Sequence, residues 1–154
     1  MKKLNLSELE VNILGWSHDK DLIHVGNAPK QKLKLIEELG ETSKAILKND
    51  VKEIKDGLGD AFVVLVILSH QIGYRLHLES FLRYCDDTYS SDPATLITEI
   101  IQYSKLESLG AAICTLYHLA ETLNYDLTDC ANIAYNEIKD RKGETINGTF
   151  IREK

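Results

Sequence analysis

Residues 31–73, QKLKLIEELGETSKAILKNDVKEIKDGLGDAFVVLVILSHQIG, read as two helices joined by a short turn near Asn49-Asp50. The first carries Glu37, Glu38 and Glu41, and the second carries Glu53, Asp56 and Asp60. At about 100° per residue, each trio falls within roughly a 100° arc or less. Like charges at these spacings cost a helix a few tenths of a kcal/mol per pair, so helix propensity does not account for them. Two facing acidic stripes would form a cage of hard oxygen donors of the kind that suits Mg²⁺ or Mn²⁺.

An acidic run on a helix is also what a solvated face looks like. On the first helix Leu35, Leu39 and Ile46 lie opposite the glutamates, as on an ordinary surface helix. The second helix differs. Extending its acidic stripe beyond Asp60 meets Val64, Ile67 and Gln71, while Ile54, Leu58 and Leu65 supply another apolar face. A helix apolar nearly all round is expected to be buried. A carboxylate where such a helix begins must be paired, protonated or bound to a cation.

The pattern Glu37-Glu38-x-x-Glu41, a short gap, then Asp56-Gly57-Leu58-Gly59-Asp60 and an apolar run resembles the MazG-type nucleotide pyrophosphohydrolases. The likeness covers about residues 14–72, with a second patch near the C-terminus. It implies an all-α fold among the all-α NTP pyrophosphatases, assembly as dimers or larger forms, and active sites near subunit contacts. One position departs from the pattern. The family usually shows Glu-x-x-Asp before the apolar run, and Gly57 stands at the Glu position. Asp56 or Glu53 then supplies the missing oxygen, or the site holds one metal fewer, or catalysis is weakened.

The bulk properties limit the alternatives. A chain of 154 residues is read as one domain, 1–154, with enough length for a real core. Its 44% hydrophobic and 27% charged shares are ordinary for a globular protein. The net charge of −6 argues against a general nucleic-acid binder, though one phosphate-bearing ligand needs only local cations or a metal. The start MKKLNLSELEVN is read as no signal peptide, and the run Ala61–Leu68 is too short to span a bilayer. A cytoplasmic location is expected, with Cys85, Cys114 and Cys130 as reduced core residues.

Along the chain, residues 1–15 suggest a short helix with Leu6, Leu9, Ile13 and Leu14 as its stripe. Trp16 and SHDKDLIHVGNAPK follow as an irregular connection; Trp16 either stacks on a base or packs at a helix end. His18 and His24 are expected at the surface. The first long helix should start near Pro29 or Lys30 and end near Lys48, and the second should stop near Gly73. FVVLVIL is β-branched, but it continues a helical pattern and is read as helix rather than as a central strand. A shorter helix around His77–Cys85, the break DDTYSSDPA, and helices over about 93–105 and Glu107–Asn124 come next. His118 and Glu121, one turn apart, read as a surface pair. No P-loop, GxSxG, HExxH or paired CxxC motif occurs, and no Glu-x-x-His favours a di-iron bundle. The last helix, from Leu127, should end at Gly143. The tail ETINGTFIREK holds an Asn-Gly turn signal, for either a small hairpin or a short extended arm at 144–154.

The expected fold is therefore all-α, a MazG-like helical bundle built around the acidic hairpin. The function implied by the resemblance is metal-dependent hydrolysis of a nucleoside triphosphate to the monophosphate and pyrophosphate. Glu38, Glu41, Asp60, and Asp56 or Glu53 would hold Mg²⁺, with Mn²⁺ an alternative. Glu37 leads as the base that activates water, with Glu38 the other candidate catalytic carboxylate. Asn136, Lys139 and Arg141 match the family's late-helix phosphate cluster, although cations also suit a helix C-terminus through its dipole. No nucleic-acid polymer or membrane partner is expected, and a homodimer or homotetramer is. The rival readings are a noncatalytic helical nucleotide-binding or interaction module and a hydrolase of another phosphate ester.

Overall fold

The computed structural model describes residues 2–78, 85 and 91–154, with Val25 described for its backbone alone. Among these residues the chain forms six α-helices, one 3-10 turn (Val25–Asn27) and one two-stranded sheet: α1 (Leu6–Asp19), α2 (Ala28–Lys48), α3 (Val51–Gln71), α4 (Pro93–Lys105), α5 (Leu109–Thr122), α6 (Leu127–Ile138), β1 (Gly143–Ile146) and β2 (Thr149–Arg152). The fold is all-α apart from that hairpin. The expected short helix near His77–Cys85 and the break after it lie mostly outside the described residues.

The α2–α3 hairpin is the centre of the packing. Ala28, Gln31, Leu35, Glu38, Leu39, Thr42 and Ala45 are buried on α2, a stripe at three- and four-residue spacing. Asn49 ends α2 in the left-handed region at φ 54, and the Asp50 side chain accepts the Glu53 amide at 3.2 Å to start α3. All nine residues from Ala61 to Ser69 are buried, so this helix is enclosed on every side. Phe62, Leu58, Leu65 and Leu68 are fully buried, each worth about 1.5–3 kcal/mol of transfer free energy. Around α3 pack α2, α6, α1 and α5, while α4 and α5 form their own pair.

The caps explain several boundaries. Asn5 accepts the Glu8 amide and Glu8 returns a bond to the Asn5 amide, a reciprocal cap that starts α1. Asp92 accepts the Thr95 amide and hydroxyl to start α4 behind Pro93, and Asp126 accepts the Thr128 and Asp129 amides to start α6. Asn147 (φ 49) and Gly148 (φ 79) make the tight turn between β1 and β2, with Ile146 opposite Thr149.

Four expectations are corrected. Helix α1 runs on to Asp19, so Trp16 lies within it; burial of Ile13 and Ser17 on one stripe carries the helix past residue 15. Helix α6 stops at Ile138 rather than Gly143, because the chain leaves the helix to lead into β1. His118 is buried at 7% exposure, on the face of α5 that also buries Thr115 and Leu119. Cys85 and Cys114 are joined by a disulfide with Cα atoms 5.8 Å apart; only Cys130 is a free thiol, and burial pushes its pKa up to about 11.

Candidate active site

Periodicity puts one glutamate of α2 on the packing face and two beside it. Glu38, at 5% exposure, shares the buried stripe with Leu35 and Thr42, whereas Glu37 and Glu41 flank it. Lys34 stands one turn earlier, and its Nζ lies 2.7 Å from both Glu37 Oε2 and Glu38 Oε1. Burial works to lower the Lys34 ammonium pKa, but the bonds to Glu37 and Glu38 outweigh it and hold the group above the usual lysine value.

Asp60 comes from the neighbouring helix α3. Its carboxyl is pushed up to about 7, first by burial and then by repulsion from Glu38 and Glu137, while Arg141 and Lys34 act in the opposite direction. Glu38, Asp60, Glu37 and Glu41 all line one cavity of about 720 Å³. Four cationic residues, Lys30, Lys34, Arg141 and Arg152, share its lining. Arg141 follows α6 and keeps one ion pair, 3.8 Å from Glu137.

Much of the rest of the lining is apolar and aromatic. Leu22, Val63, Val64 and Ile67 share it with Trp16 of α1 and Gly148, Thr149 and Phe150 of the hairpin. The Trp16 and Phe150 rings meet edge to face at a centroid distance of 5.3 Å. Lys20 sits over the other ring contact, its Nζ 5.9 Å from the Phe150 centroid, and Thr145 Oγ1 donates to the Lys20 carbonyl at 2.5 Å. These contacts fold the hairpin back onto α1 as a wall of the cavity.

The candidate residues named from the sequence thus divide into two groups. Glu37, Glu38, Glu41, Asp60, Arg141 and Trp16 face one space. Glu53, Asp56, Asn136 and Lys139 are not part of that lining. Glu53 is exposed in the first turn of α3 and Asn136 is exposed on α6. Asp56 lies one turn before Asp60, with its pKa raised by burial and by Glu137. Sequence reasoning passed over Lys30, Lys34, Phe150 and Arg152. Lys34 had a signal, since it precedes Glu37 and Glu38 by three and four residues. The hairpin residues had none that pointed to this cavity.

Hard carboxylate oxygens are the donor type that Mg²⁺ and Mn²⁺ take, and a cation beside Asp60 would offset the burial and repulsion that raise its pKa. Among the described residues, no three Asp, Glu, His or Cys side chains stand together as a ready-made metal centre. Donors from a phosphate ligand and water would complete such a shell, as is usual for Mg²⁺.

Asp60 makes a stability prediction for the metal-free protein. Its folded pKa of about 7 lies above the ordinary value of 3.8. Between about pH 4 and pH 7 the folded state therefore binds more protons than the unfolded state, and stability falls as pH rises through that window. The difference sets a ceiling of about 4 kcal/mol, which partial exposure reduces to about 1–2 kcal/mol. In EDTA, Asp60→Asn should melt above the parent at pH 8 and level with it near pH 4. Equal melting temperatures at pH 8 would show that Asp60 ionises there without penalty.

The fold and cavity define a helical-bundle protein that sets carboxylates against cations beside an enclosed helix. Residues 29–83 match the family model of the MazG nucleotide pyrophosphohydrolase domain, and the chain is MazG-like over that segment, which holds Glu37, Glu38, Glu41 and Asp60. Over 78 residues the chain is 41% identical to the uncharacterized 18.2 kDa protein in the rep-hol intergenic region of Haemophilus phage HP1 (strain HP1c1). That match covers 51% of this chain and 45% of the phage protein, so the chain spans under half of the relative's length. No solved structure matches the chain. No helix among the described residues is long and apolar enough to cross a membrane.

Proposed function

We propose that the protein hydrolyses a nucleoside triphosphate to the monophosphate and pyrophosphate with Mg²⁺, or Mn²⁺, as cofactor. The observation that carries this reading is that Glu37, Glu38, Glu41 and Asp60 share the lining of one cavity with Arg141. The MazG match over residues 29–83 supports the reaction class. A volume of about 720 Å³ is in the range of small-molecule sites.

In this reading Glu38, Glu41 and Asp60 would hold the cation. When bound, the metal would supply positive charge to the phosphate oxygens and lower the pKa of a water. Glu37, at the edge of the carboxylate group, takes the proton from the attacking water, with Glu38 the second candidate. The water oxygen forms its bond to phosphorus as the α–β bridge opens, and pyrophosphate departs with the bridging electron pair. Lys34 holds the orientation of Glu37 and Glu38 through its two bonds. Arg141 binds phosphate oxygens from the α6 side. Asn136 and Lys139 stand outside the lining, and Trp16 belongs to the substrate-binding wall.

Assembly as a homodimer or homotetramer is part of the proposal. Leu33, Ile36 and Leu47 are exposed along α2, and Leu33 also edges the cavity. Light scattering after gel filtration reads the mass directly, and a monomer at micromolar concentration removes this part. A cytoplasmic location is proposed with it.

A second reading, a nucleotide-binding module without turnover, is favoured by Gly57. A side chain there would meet Thr42 across the α2–α3 contact, so close packing replaces the carboxylate that the family pattern would place at this position. One experiment separates the readings. Each common NTP and dNTP, and dUTP, is incubated with and without Mg²⁺ while pyrophosphate and orthophosphate are both assayed. Metal-dependent pyrophosphate with a matching monophosphate is the expected result. Orthophosphate release would indicate another phosphate-ester hydrolase, and binding without product would indicate the module.

A further inference from the structure

The cavity is not uniform along its length. On α2 its lining runs from Lys30 and Gln31 to Glu41, about 15 Å at the helical rise. Helix α3 runs alongside, and the Gln31 side chain donates to the Val64 carbonyl at 3.4 Å. The early part of α2 therefore faces Val64 and Ile67, and the later part faces Asp60. The hairpin turn sits at the early end: a Cβ on Gly148 would stand 2.9 Å from Asn27 Oδ1 and 3.4 Å from Lys30 Cγ. One end is thus carboxylate-rich, and the other is walled by Leu22, Trp16 and the hairpin's Phe150, with Lys30 at its edge.

We propose that the C-terminal hairpin is the base-holding wall of this site, with Phe150 and Trp16 holding a nucleobase at the end of the cavity away from the carboxylates. The proposal rests on the triphosphate reading for the acidic end. A flat, apolar, polarisable group suits an aromatic pair, and stacking of this kind tolerates any base. The Trp16 indole N–H is buried without a hydrogen-bond partner among the described residues, which leaves a donor beside the pair. The 15 Å between the two ends accommodates a base, sugar and phosphate chain laid along α2. The same chain supplies both ends, since residues 149–150 reach the cavity through the fold-back onto α1.

Trp16 is the chain's one tryptophan, so its emission reports directly on that end. The full-length protein is titrated in Mg²⁺ with a nucleoside triphosphate bearing a non-hydrolysable α,β-imido bridge, and separately with inorganic triphosphate, with binding followed by calorimetry. The nucleotide should change Trp16 emission, and inorganic triphosphate should compete for the site without changing it. Phe150→Leu keeps an apolar side chain but removes the ring, and should weaken nucleotide binding roughly tenfold while leaving triphosphate binding unchanged. Equal weakening of both ligands, or nucleotide binding with silent Trp16 emission, overturns the proposal, as does a nucleotide that fails to bind. An inert protein whose nucleotide affinity still depends selectively on Phe150 would remove the hydrolysis reading and keep the base wall. Normal turnover with an unaltered KM in Phe150→Leu would do the reverse.

Discussion

Glu41→Gln is expected to reduce metal-dependent pyrophosphate release by at least about 10³-fold while leaving the melting temperature unchanged. Glu41 is exposed on α2, and it lines the cavity without sitting on the buried stripe. A surface substitution of matching shape should alter stability by about 0.5 kcal/mol or less. The amide removes one of the charged oxygens proposed to hold the cation on the phosphates. Transition-state charge stabilisation by such a metal is worth several kcal/mol, and each 1.36 kcal/mol is tenfold in rate. Pyrophosphate release at saturating Mg²⁺, with circular dichroism and a thermal melt on the same sample, checks both halves. A variant that turns over at the parent rate would move the metal away from this carboxylate. Glu38→Gln is a poorer first choice, because Glu38 is buried and paired with Lys34, so loss of charge there disturbs packing as well.

Gly59→Ala is expected to cause the largest loss of stability of any single methyl group added to α3. A Cβ at this position would overlap the Cys130 carbonyl oxygen and stand 2.8 Å from its carbon and 2.9 Å from Ala134 Cβ. The obstacle is helix backbone, which has no rotamer to change, so α3 and α6 must separate. Overpacking of this kind costs about 1–3 kcal/mol and sometimes more, while the better helix propensity of Ala returns about 1 kcal/mol. A net loss of about 1–2 kcal/mol would lower the melting temperature by roughly 2–8 °C in a chain of this size. Gly57→Ala offers the contrast. Its obstruction is chiefly the Thr42 hydroxyl, which can rotate at the expense of its 2.8 Å bond to the Glu38 carbonyl. The loss should be smaller there, and equal losses at the two sites would refute the distinction between side-chain and backbone obstruction. For the same reason, Gly57→Glu alone should not restore the carboxylate that the family pattern places there. Thr42→Gly is needed with it to open space between α2 and α3.

Both positions show how local signals relate to the folded whole. The two-glycine interruption in α3 was visible in the sequence as a propensity cost that close helix approach would explain. Which neighbour approached each glycine was not visible, because Thr42 and Cys130 lie on different helices brought in from opposite sides. The acidic stripes were legible for a similar reason: a 3.6-residue period aligns Glu37, Glu38 and Glu41 whatever surrounds them. That Asp60 faces this group while Glu53 and Asp56 do not depends on how α2 and α3 lie against each other.

The chain's own local chemistry determined the helical hairpin, the caps at Asp50, Asp92 and Asp126, the Asn147-Gly148 turn and the enclosure of Ala61–Ser69. Each of these follows from side chains within a few residues of one another, where helical periodicity and turn geometry act directly. Tertiary structure alone decided that Trp16 belongs to a helix, that Cys85 meets Cys114, and that the hairpin walls the cavity. The last of these rests on contacts such as Thr145 to Lys20 and Phe150 to Trp16, which join chain positions more than a hundred residues apart, and the disulfide joins positions 29 apart. No local period or turn signal encodes such a meeting; it arises when burial of α3 gathers the outer helices, and the hairpin with them, around it.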